Sequence, residues 1–154
     1  MTLTRRAFVE RAAKGSVLAL PFMMGGASVL LTPTQARAQS VPYKVLSAQQ
    51  VKLVEQLGEG MLPGAAGAGL AHFVDHQLGA PPEETLLIAK YLQAPFPYKD
   101  FYAKGLEVSA ALAKKLTGNT LETLDAAGLA KVVGEMAKPE PGVIDGFPIF
   151  LFYM

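Results

Sequence analysis

His72 and His76 stand four residues apart in the run Leu70-Ala71-His72-Phe73-Val74-Asp75-His76-Gln77-Leu78. On a helix both would point to one side, with Asp75 adjacent. Such a pair can hold a metal or face a haem, provided a third ligand and an open position complete the set. A polar, solvated face opposite Leu70, Phe73 and Val74 accounts for the pair without a metal and is the plainer reading. Gly67-Ala68-Gly69-Leu70-Ala71-His72 nearly fits a dinucleotide fingerprint, but histidine occupies the third glycine position. That fingerprint must also follow a buried strand, whereas the segment here reads as helical up to Pro63. The glycines are therefore expected to form a flexible connection between helices.

Other chemistries find fewer candidates. Beyond residue 38 the serines are Ser40, Ser47 and Ser109, and none lies in a nucleophile elbow. Glu83-Glu84 follows Pro81-Pro82, where acids favour the positive end of a helix. With no cysteine anywhere, thiolate metal sites, iron–sulfur clusters and thioether haem attachment are excluded. No cofactor site is assigned to this chain. The aromatic run Phe96, Tyr98, Phe101, Tyr102 suits either a docking surface or ordinary core.

The elements that must position these groups read as all-α, a single small helical domain of about five or six short helices. Ser47 and Gln50 form a capping box with Leu46 and Val51 as its hydrophobic staple. Val51, Val54, Leu57 and Met61 then mark one helical face, stopped by Pro63-Gly64. A second helix is predicted over Leu70–Leu78. A third opens at Pro81-Pro82 and continues through Leu86, Leu87, Ile88, Tyr91 and Leu92. A fourth carries Phe101, Leu106, Val108, Leu112 and Leu116 to Gly118-Asn119, and a fifth runs from a cap at Asp125 to about Ala137. No run combines clean period-two alternation with turn signals, so a sheet is not expected.

The chain begins with a different kind of signal. Thr4-Arg5-Arg6-Ala7-Phe8-Val9, with Thr4, Arg5, Arg6 and Phe8 as its key positions, has the pattern of a twin-arginine export signal. The apolar stretch from Ser16 to Leu31 is interrupted by Pro21, Gly25 and Gly26, and a membrane anchor needs about 20 unbroken apolar residues. Ala36-Arg37-Ala38 offers a small-x-small site for cleavage before Gln39. Residues 1–38 are accordingly read as a cleavable signal peptide and residues 39–154 as the helical domain. Localisation is then periplasmic, through the twin-arginine translocase, a route that carries folded proteins.

Residues 39–154 hold nine lysines, no arginine and twelve acids, a net charge of −3 with neutral histidines. Such a chain has no electrostatic footprint for nucleic acid. About 116 residues suffice for one small core. The end, Gly146-Phe147-Pro148-Ile149-Phe150-Leu151-Phe152-Tyr153-Met154, is almost wholly apolar. Free chain ends are normally solvated. This one is expected to continue in a longer protein or to be buried in a partner, with Phe147, Phe150 and Phe152 as contact candidates, in preference to lying on a membrane.

Taken together, the twin-arginine leader, Leu46-Ser47-Ala48-Gln49-Gln50, Met61-Leu62-Pro63-Gly64 and the run from Ala68 to Leu78 resemble the gluconate 2-dehydrogenase subunit 3 family. Asp145-Gly146-Phe147 agrees with one branch of it. The resemblance spans most of residues 39–154 and rests on helical patterns. It implies a non-catalytic small subunit that supplies the export signal and supports maturation of an exported flavin-dependent sugar or sugar-acid dehydrogenase. FAD would sit on the large flavoprotein subunit, and haem c on a membrane-anchored cytochrome c subunit. The resemblance also implies a chain continuing past Met154, and it carries no histidine ligand pair. The alternatives are a stand-alone periplasmic metal-binding protein using His72 and His76, and a small exported structural protein.

Overall fold

A computed structural model describes residues 19–91 and 94–138. It is mostly helical, with five α-helices and one small β-hairpin among the described residues.

The hairpin comes first. Strand β1 (Leu20–Met24) pairs antiparallel with β2 (Ala27–Leu31), Leu20 facing Leu31 and Met24 facing Ala27. Gly25 and Gly26 form the turn with φ of 54° and 82°. Two successive positive φ angles suit the right-handed strand twist, and glycine adopts them at no steric cost. This corrects the all-α expectation. Leu20 and Phe22 are buried while Pro21 and Met23 are exposed, so period two exists in β1 alone. The Gly-Gly turn signal is the one that the signal-peptide reading set aside.

A lone two-stranded hairpin is marginal in water. Here Leu20, Phe22 and Leu31 form a small cluster with Ala36 and Val41, against which Phe73 packs. Ala36 belongs to α1 (Pro33–Ala38), an element the sequence reading did not foresee. Thr32 caps it with a full capping box through Gln35, and Pro33 occupies the first turn, where its missing N–H costs nothing.

The larger core is built by the next four helices: α2 (Ala48–Met61), α3 (Leu70–Leu78), α4 (Tyr98–Thr117) and α5 (Ala126–Met136). The expected capping box is present at α2: Ser47 Oγ accepts from Gln50 N–H at 3.2 Å, and Gln50 Oε1 accepts from Ser47 N–H at 2.9 Å. Asp125 caps α5 through Gly128 N–H at 2.8 Å. Gly118 ends α4. Helix α2 packs on α3, α4 and α5, while α1 packs on α3. No helix among the described residues is long and apolar enough to cross a membrane.

The predicted third helix does not form. Among the described residues of that segment the one helical element is a 3₁₀ turn at Ile88–Lys90. Its competitor is Gln77 of α3, buried at 1 % exposure. The Gln77 side-chain oxygen accepts from Leu86 N–H at 2.6 Å, and Thr85 Oγ1 donates to the Gln77 carbonyl at 3.2 Å. A buried side chain thus takes the backbone donor that a helix would have used. Leu92 lies outside the described residues.

Candidate functional site

The polar residues of α3 converge on the segment that leads into α2. Asp75, 4 % exposed, accepts from three successive backbone N–H groups: Lys44 at 2.9 Å, Val45 at 2.8 Å and Leu46 at 2.8 Å. A buried carboxylate is costly unless its oxygens are satisfied, and these three donors satisfy it. They also fix the residue before the Ser47 cap, so Asp75 sets where α2 begins.

His72 lies one turn earlier and is also 4 % exposed, which corrects the solvated-face reading of this residue. Its Nε2 donates to the Val41 carbonyl at 3.0 Å, and its Nδ1 shares a hydrogen bond with the Tyr43 hydroxyl at 3.2 Å. The Tyr43 ring lies 4.4 Å from the imidazole. Burial, followed by the negative charge of Glu55, raises the Tyr43 pKa, so this phenol stays protonated and able to donate. Both imidazole nitrogens therefore serve the fold.

His76 faces the hairpin. Phe22 presents its ring edge-on to His76 at 5.3 Å and to His72 at 6.3 Å. Burial lowers the His76 pKa, and a hydrogen bond to the Pro21 backbone opposes that shift. The two histidines share a helix and a neighbour in Phe22, yet no third ligand joins them among the described residues. Among the described residues no group of three His, Cys, Asp or Glu could hold a metal ion.

Beside this latch lies an open cleft of about 610 Å³, lined by Thr34, Arg37, Ser40, Tyr43, Gly67 and His72 among others. Arg37 is paired with Glu55 of α2. The glycine loop forms one wall, and it is ordered against α1. Gly69 has φ 88°, and a Cβ there would collide with the Pro33 carbonyl. Thr34 Oγ1 donates to the Ala68 carbonyl at 2.9 Å. Close backbone approach explains Gly69 better than a nucleotide or a flexible linker does.

The expected cleavage residues fall in and just after α1. Ala36 is fully buried, while Ala38 and Gln39 are exposed. The helix closes with two reversed hydrogen bonds, Val41 N–H to the Ala36 carbonyl and Ser40 N–H to the Arg37 carbonyl, both 3.0 Å. This is a Schellman motif, with Ser40 at φ 51° in the position usually given to glycine.

The aromatic run divides. Tyr98 and Tyr102 are buried in the main core, Phe101 is half-buried against it, and Phe96 is 58 % exposed. Thr4, Arg5, Arg6, Phe8, Phe147, Phe150 and Phe152 lie outside the described residues, as does Asp145-Gly146-Phe147. Sequence reasoning missed Tyr43 and Phe22 as partners of α3, and Gln77 of α3 as the acceptor for Leu86 N–H. The signal available was His72 and Asp75 at i, i+3, which places two polar groups on one side of a short helix.

The chemical capacity of this arrangement is that of a latch: a carboxylate, an imidazole and a phenol joining distant backbone. No protein-family model, curated protein or solved structure matches the chain.

Proposed function

We propose that this chain is the non-catalytic small subunit of an exported flavin-dependent sugar or sugar-acid dehydrogenase, of the gluconate 2-dehydrogenase subunit 3 kind. It supplies the twin-arginine signal and supports maturation of a large flavoprotein subunit, which holds the FAD. Haem c belongs to a third, membrane-anchored subunit. The observation that carries the reading is the run Thr4-Arg5-Arg6-Ala7-Phe8-Val9, a leader for folded cargo, on a body that resembles this family from Leu46 to Leu78. Among the described residues, Asp75, His72 and Gln77 of the Ala68–Leu78 motif hydrogen-bond to the chain's own backbone, which supports a structural role for that motif.

The test is replacement of Arg5 and Arg6 by lysine in the host, followed by fractionation. Both this chain and the flavoprotein that co-purifies with it should then remain in the cytoplasm. A flavoprotein that reaches the periplasm undiminished would overturn the reading.

A further inference from the structure

The export reading makes the Ala38–Gln39 bond a substrate, and the fold treats that bond in an unexpected way. Signal peptidases hydrolyse this amide with water, leaving a carboxylate on Ala38 and a free amine on Gln39. Proteases take their substrates as extended strands, with alternate side chains entering pockets on one side. Residues 36 and 38 would share a side in a strand, but in α1 they point about 200° apart. Ala36 has no exposed surface at all. The bond itself is exposed but held in a helical turn, spanned by the Schellman motif that ties Val41 to Ala36 and Ser40 to Arg37.

Several contacts hold this strap, residues 20–41, on the helical body, the Arg37–Glu55 ion pair among them. Phe22 packs on His72 and His76, Thr34 bonds to Ala68, and Gly69 admits the Pro33 backbone. Val41, just beyond the bond, is buried and accepts from His72 Nε2. Straightening residues 36–39 would break the α1 hydrogen bonds and pull Ala36 out of its cluster with Leu20, Phe22 and Leu31.

We propose that the folded chain masks its own processing site: the Ala38–Gln39 bond is withheld from the peptidase until the 20–41 strap is lifted from α3. This rests on the export reading above. Cutting then tracks the small population in which the strap is open, so folding precedes removal of the leader and delays it.

The test uses the purified full-length chain in detergent with a bacterial signal peptidase, followed by intact mass. A synthetic peptide of residues 30–46 is the unmasked reference. The peptide should be cut before Gln39, and the folded chain at least about tenfold more slowly. Phe22→Ala loosens the strap without touching the main core, and should restore most of the peptide's rate while circular dichroism stays helical. Gly69→Ala, which crowds Pro33 from the other side, is the second variant should the first disturb folding. A wild-type chain cut as fast as the peptide overturns the mask, and so does a folded Phe22→Ala chain that is no faster than wild type. An uncut peptide is a different result, since it removes the processing site itself and with it the export reading of Ala36-Arg37-Ala38.

Discussion

The Asp75 carboxylate accepts the Leu46 N–H at 2.8 Å across 29 residues of sequence, and so joins the middle of α3 to the start of α2. Removing it as Asp75→Ala would leave the buried Leu46 N–H and the half-buried Val45 N–H without partners, Lys44 being exposed to water. Each such donor costs about 1–3 kcal/mol, so a loss of at least about 2 kcal/mol is expected in urea unfolding. Asp75→Asn keeps one acceptor oxygen and should cost less. A loss under about 1 kcal/mol for the alanine variant would show that the latch is idle.

His76 gives the fold a pH dependence. Its folded-state pKa is lowered, chiefly by burial, below the ordinary 6.5. The unfolded chain therefore binds this proton more readily than the folded one. The stability tied to neutral His76 is fully present above pH 6.5 and is lost as pH falls from there through the folded-state value. Thermal melts between pH 7.5 and 5 should show this slope in wild type and a flatter one in His76→Gln. Equal slopes would mean that the hairpin does not shield the ring.

Gln77 decides the conformation of residues 85–87. Gln77→Leu keeps the volume but removes the acceptor for Leu86 N–H. The expected loss is about 1–3 kcal/mol, together with faster amide exchange at Leu86. Unchanged exchange at that amide would refute the assignment.

The split of the aromatic run predicts two unlike phenotypes. Tyr102 has no exposed surface, and burial pushes its pKa far above the ordinary phenol value. Tyr102→Ala should cost about 3–5 kcal/mol. Phe96→Ser, at an exposed ring, should change stability by less than about 0.5 kcal/mol. Under the proposed function, with Phe96 as a contact candidate, co-purification with a flavoprotein should fall in Phe96→Ser while the melting temperature holds.

The parts of the fold that local chemistry decides were legible in the residues. Ser47 with Gln50, Asp125, and the Gly118 stop each bound a helix through groups within a few positions of one another. The bounds of α3 could be read the same way. Failure came where a distant group intervened. Pro81-Pro82-Glu83-Glu84 is a sound helix start, yet Gln77 takes the Leu86 N–H from outside the segment. Likewise His72 looked solvated because its neighbours Tyr43 and Val41 approach from another element. The hairpin was hidden differently, since an apolar run with Gly-Gly in it fits a signal peptide as well as a turn.

The ribbon formed by β1 and β2 has another property. Among the described residues the sheet has two strands, so each keeps one backbone edge that no described strand pairs with, and the side away from Phe22 presents Met23 and Leu30 at 45 % and 40 % exposure. Bare edges with apolar flanks recruit further strands. Concentrated preparations of the intact polypeptide should therefore drift toward insoluble, strand-rich assemblies, and Leu30→Lys should slow that drift.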